Sequence, residues 1–156
     1  MSYAAVHTFT VGEVATAANL NNLGGDITAL LSIGANVATS ETTTSTTYAN
    51  LTTVGPSVTM NTGDRTEVEI TLSARLSNSG ASGDSFMSVD VSGATTLAAV
   101  DDNALFFKSP SAGNPGHYSR SVKITGLTAG SNTFTAKYRT TANTSTFQFR
   151  WLIVGL

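Results

Sequence analysis

The chain has 156 residues, no cysteine, a formal net charge of −2 and only 12% charged residues, about half of ordinary usage. The lack of cysteine excludes disulfide staples, zinc–thiolate sites and cysteine nucleophiles. The basic residues are scattered and not interleaved with aromatics, which argues against nucleic-acid binding, and no apolar run is long enough to span a membrane. The N-terminus has no basic stretch ahead of an apolar one, so no signal peptide is expected.

Ser and Thr fill 44 positions. Thr is β-branched and Ser tolerates turns, so this composition suits strands. No Lys or Arg precedes Arg65 and no Asp or Glu follows Asp102, giving 2 − 10 = −8 up to that point and +6 beyond it. Interleaved strands would mix these charges in space. A subunit that kept them apart would be bipolar and could meet a neighbour through opposite charge.

In chain order, Met1 to Thr8 reads as irregular, and a brief alternation follows through Phe9, Val11 and Val14. Thr16 is a candidate helix N-cap. Leu20, Leu23, Ile27, Leu30 and Leu31 then recur at helical spacing and form one apolar stripe, with Asn19, Asn22 and Asp26 off it. Gly24 and Gly25 weaken this helix by about 1 kcal/mol each relative to Ala, so it needs a partner surface to persist. That surface is either the chain's own β domain or another subunit. Thr39 to Thr47 is low-complexity and polar, and reads as a linker merging into the first strand. The expected organisation is an arm over residues 1–40 and a β domain over 41–156.

Beyond the linker the pattern is strands and turns. Strands are predicted over Thr46 to Thr53, Ser57 to Met60, and Glu67 to Leu76, the last with Val68, Ile70, Leu72, Ala74 and Leu76 inward. Another follows with Met87, Val89 and Val91 inward. Thr95 to Val100 and Asn103 to Lys108 read as shorter strands, and Ser109 to Gly116 as a surface loop. Tyr118, Arg120, Val122 and Ile124 alternate on the next strand. The last two runs form a hairpin, with Phe134, Ala136 and Tyr138 inward on one and Phe147, Phe149, Trp151 and Ile153 inward on the other. The predicted fold is all-β, an antiparallel sandwich of jelly-roll type with a short N-terminal helical arm. An immunoglobulin-like sandwich is the alternative.

Little in the sequence carries chemistry. His7 and His117 are isolated, and no Gly-x-Ser-x-Gly surrounds a serine. Asp101, Asp102 and Asn103 read as a tight turn, because the spaced oxygen ligands of a calcium loop are missing. Glu67 and Glu69 read as solvated. Tyr48, Phe86, Phe107 and Tyr118 are aromatics that either pack in the core or stack on a sugar ring, with core the expected role for most. No catalytic residue, metal or cofactor is expected.

Phe9-Thr10-Val11-Gly12-Glu13-Val14-Ala15-Thr16-Ala17-Ala18-Asn19-Leu20-Asn21 resembles the N-terminal motif of tail, fibre and other virion proteins of tailed bacteriophages. Ser92-Gly93-Ala94-Thr95 and Gly126 to Phe134 resemble the small sandwiches that follow it in such proteins. The resemblance implies a virion structural subunit on the capsid surface or the tail, built as a symmetric oligomer, often a trimer. The N-terminal part would anchor and the β part would be displayed. The anchor and interface residues are then Phe9, Val11, Leu20, Leu23, Ile27, Leu30 and Leu31. The partners are other copies, other virion proteins and, as a further candidate, a host surface glycan. A glycan-binding adhesin domain is the alternative function.

Overall fold

A computed structural model describes residues 32–155. The predicted helical arm and all seven predicted anchor residues lie outside the described residues. Among the described residues nine strands form two packed sheets: β1 (Ile33–Val37), β2 (Glu41–Thr43), β3 (Ser57–Asn61), β4 (Glu67–Asn78), β5 (Asp84–Gly93), β6 (Leu105–Lys108), β7 (Gly116–Thr125), β8 (Ser131–Thr140) and β9 (Ser145–Gly155). No α-helix occurs among the described residues. A single 3-10 turn, Asp101–Asn103, precedes β6.

One sheet has the order β1-β9-β4-β7, with β2 also on β9, and the other has the order β3-β8-β5-β6. The antiparallel pairs β1/β9, β3/β8, β4/β7 and β5/β6 nest inside one another along the chain. This is one long hairpin rolled over on itself, so that most connections cross between the sheets. That order defines a jelly roll. It differs from the immunoglobulin arrangement.

The core fills the space between the sheets. Ile70, Leu72, Ala74 and Leu76 of β4 are fully enclosed, as are Met87, Phe134, Ala136, Tyr138, Phe147, Leu152 and Val154. The predicted inward faces of β4, β5 and β8 are the observed ones. Strict alternation makes these faces readable, because a strand exposes every second residue.

Three expectations are corrected. The sandwich begins at Ile33, ahead of the boundary expected at residue 40, because β1 pairs with β9 along its whole length. Thr46 to Thr53 is no strand. It follows the edge of β8 through a single bridge at Ala49 and Tyr138, with Tyr48 drawn outward to Asp101 and Thr53 held by Glu41. Pro56, which has no N–H to give, ends this irregular stretch. Thr95 to Val100 is also no strand. Its ladder is reduced to one bridge between Leu97 and Val91, and side chains hold the rest: Asn132 Oδ1 accepts from Thr95 N–H, and Ser88 donates to the Val100 carbonyl. Tyr118 and Arg120 face the open edge between β6 and β7 and stay exposed, Arg120 donating to the carbonyls of Ala104 and Asp102.

Two buried asparagines tie the ends of the barrel-like roll. At one end Asn78 Nδ2 donates to Thr140 Oγ1, the Ala142 carbonyl and Ser145 Oγ, while Oδ1 accepts from Gly80 N–H. A Cβ on Gly83 would lie 2.3 Å from Asn78 Oδ1, so only glycine fits there. At the other end Asn132 Nδ2 donates to Thr62 Oγ1 and the Thr128 carbonyl. Both asparagines use most of their hydrogen-bonding capacity without water.

Candidate interaction surfaces

The last strand departs from the predicted pattern where it matters most. Ser73 pairs with Trp151 but Arg75 pairs with Gln148, so Phe149 and Arg150 together oppose Ala74. This is a β-bulge, and Phe149 adopts φ 50° to make it. One extra residue reverses the alternation for the rest of the strand. Phe147 stays inside, but Phe149, Trp151 and Ile153, predicted inward, lie on the outer face. They are 44%, 44% and 38% exposed. Arg150, Leu152 and Val154 take the inner positions.

The outward three form an apolar ridge along β9. Gly34 and Asn36 of β1 flank it on one side, opposite Ile153 and Trp151. Thr71 and Ser73 of β4 flank it on the other, with Ser121 and Ser119 beyond them on β7. None of these neighbours is charged. Ile153 leans over Gly34, where a Cβ would come within 3.3 Å of its Cγ1. Charge appears toward the ends of the ridge, as the exposed Glu69 opposite Gly155 and Lys123, as the exposed Lys123–Glu67 pair at 2.9 Å and as Arg75, which donates to Gln148.

Inward, Arg150 is fully buried and its Nη2 meets Glu41 Oε2 at 3.0 Å. Its guanidinium carbon lies 5.3 Å from the centre of the Tyr138 ring. Burial pushes the Glu41 carboxyl up, but hydrogen bonds from the Thr53 hydroxyl and N–H, together with Arg150, outweigh it and hold Glu41 below its ordinary value. Burial keeps the Tyr138 hydroxyl protonated well above its ordinary value, and it donates to the Gly55 carbonyl.

A second cluster lies on the outer face of the other sheet. Arg139 stacks 3.9 Å over the Phe86 ring, and Phe86 lies 5.0 Å from Phe106, which is 48% exposed. Asp101 accepts from Arg139 Nε and from the Tyr48 hydroxyl, each at 2.8 Å, and from Arg139 Nη2. The paired Arg139 guanidinium holds the Asp101 carboxyl below its ordinary range against the opposing effect of burial. The Asp101 carboxylate is thus committed to Arg139 and Tyr48.

Of the other residues the sequence singled out, Phe107 is buried and Tyr118 stacks on it at 5.1 Å from outside. His117 Nε2 lies 3.2 Å from Ser73 Oγ, but no carboxylate hydrogen-bonds to it among the described residues. No group of three or more potential metal ligands occurs among the described residues. Sequence reading missed the outward ridge and Phe106. Nothing in the alternation of β9 marks its bulge. Phe106 and Phe107 are adjacent, so one of them had to face out.

No protein-family model matches the sequence, and no curated protein does. Solved structures with a related strand arrangement include one of the Gx strain of infectious bursal disease virus, 12% identical with a TM-score of 0.49. The match covers 81% of this chain, which spans only 31% of the viral chain. A family 35 carbohydrate binding module from Clostridium thermocellum matches at 14% identity and TM-score 0.35, covering 78% of this chain and 90% of that one. The C-terminal CBM6 of the marine laminarinase LamC from Zobellia galactanivorans matches at 8% and 0.32, covering 81% and 100%. All three scores fall below 0.5, and the fold assignment rests on the strand order itself.

Proposed function

We propose that the chain is a structural subunit of a bacteriophage virion, on the capsid surface or the tail, with no catalytic role. In this reading residues 1–31 attach it and the jelly roll is displayed. Copies associate as a symmetric homotrimer and with other virion proteins. The observation that carries the reading is the polarity of the fold. The segment that resembles the virion motif enters at Ser32, beside Gly155, the starts of β4 and β8 and the end of β7. The loops 79–83, 109–115 and 141–144 gather at the opposite end. Ser79 N–H donates to the Thr144 carbonyl and Gly113 N–H to that of Asn78. The turns 62–66 and 126–130 share the entry end, where Leu127 N–H donates to the Thr66 carbonyl and Thr62 N–H to that of Gly130. The three loops at the opposite end are the ones farthest from the attachment segment, which suits a displayed module.

The test is incorporation. Phe9→Asp with Val11→Asp in the full chain should leave the thermal melt unchanged and remove the protein from purified particles. Incorporation at the normal level would overturn the reading.

A second reading, a glycan-binding domain, is favoured by the cluster of Phe106, Phe86, Arg139, Asp101 and Tyr48. The half-exposed Phe106 ring, beside the Arg139–Asp101–Tyr48 network, suits stacking on a saccharide. Binding on a saccharide array that is lost in Phe106→Ala would support it, and an array with no signal would remove it.

A further inference from the structure

We infer that the outer ridge of β9 is covered by residues 20–31 of the same chain. Phe149, Trp151 and Ile153 leave an apolar surface. The residues paired with Trp151 and Ile153 on β1 and β4 are uncharged, and the nearest charges are Glu69, opposite Gly155, and Arg75, opposite Gln148. Four residues of strand separate its ends, so it is about 13 Å long. Residues 20–31, read as a helix, extend about 18 Å and carry five apolar residues on one stripe. The helix is long enough to span the ridge with about one turn to spare, and it needs a surface to persist.

The entry point selects the occupant. Ser32 Cβ lies 3.9 Å from where a Cβ on Gly155 would be, and Gly155 shares the outer face with Ile153, two residues away. Ser32, the residue after the stripe, therefore lies at the Ile153 end of the ridge. No intervening linker separates stripe from surface, so a segment of the same chain competes at a high effective concentration against any second copy. The Thr71 and Ser73 hydroxyls already have partners in Ser121 and His117, so covering them costs less than burying an unpaired polar group or a charge. The occupant would leave Asn22 and Asp26, off the stripe, on the side away from the sheet, and residues 9–19 of the motif available for attachment.

Trp151 is the only tryptophan, so its emission reports cover on this face. In the full chain, Leu23→Asp with Ile27→Asp should shift that emission to the red and raise acrylamide quenching at least twofold, while the β-sheet circular dichroism is retained. Unchanged emission and quenching would overturn the inference. The absence of cysteine allows a second measurement. Ile153→Cys is combined in turn with Leu23→Cys, Ile27→Cys and Leu30→Cys and oxidised at low protein concentration. At least one pair should form a disulfide within one chain. A disulfide that links two chains would assign the ridge to a second copy, and no disulfide in any pair would leave it without this occupant. Either result overturns the inference.

Discussion

Arg150 sits where the sequence places an outward residue, and the fold encloses it completely. A buried guanidinium is tolerable only when paired. Glu41 is its partner and also accepts from Thr53, so one carboxylate joins β2, the irregular edge and the core. Glu41→Ala strands the guanidinium and should cost about 3–5 kcal/mol, measured by urea unfolding at neutral pH. The pH dependence has a definite sign. A carboxyl held below its ordinary value of 4.5 when folded stabilises the fold above that value and loses its contribution as pH falls through the folded one. Unfolding free energy should therefore be flat above about pH 5 and decline on acidification. Glu41→Gln should lower the plateau and flatten the decline. A decline of undiminished size would exclude Glu41 as a source.

The strands show which features a sequence exposes and which it hides. β4 was legible because its twelve residues alternate without interruption. The first half of β9 was legible for the same reason, and Phe147 is buried as expected. The second half was not, because a bulge is set by a backbone angle at one residue and leaves no compositional trace. The candidate site was illegible for that reason, since reversing the face is what creates the ridge. The irregular edge over residues 46–53 was misread because Thr-rich composition fits a strand, whereas side-chain bonds from Tyr48 and Glu41 decide its path. The reversal predicts a contrast within one strand. Phe147→Ala should cost about 3–5 kcal/mol as a core truncation, while Phe149→Ala, on the outer face, should cost clearly less. Equal losses in denaturant melts would place both rings in the core.

At the scale of the whole molecule, each end of the roll depends on one asparagine. Asn78→Leu would remove the acceptor of Gly80 N–H and the donor to Thr140 Oγ1, Ser145 Oγ and the Ala142 carbonyl, the last of which keeps its bond from Thr140 Oγ1, at about 1–3 kcal/mol for a group left buried and unsatisfied. The melting temperature should fall by several degrees or more, and proteolysis should begin within residues 79–83 and 141–144. Cleavage elsewhere first would show that the loops are held by other means. The early start of β1 also sets where the chain can be shortened. Removing residues 1–31 keeps β1, and that fragment should melt cooperatively. Removing residues 1–40 strips β1 from β9 and should not yield a folded domain.

Because β1 and β9 are antiparallel partners whose outer ends lie together at Ser32 and Gly155, resistance to force depends on where the molecule is held. Pulling on residues 32 and 155 opens the pair one rung at a time, like a zipper, and should rupture at low force. Pulling on residue 32 against Gly113 loads β1 along its length, so that all its hydrogen bonds to β9 must break together. Single-molecule stretching should find the second geometry several times stronger. A subunit held at its base and tugged at its loops is loaded in that stronger direction.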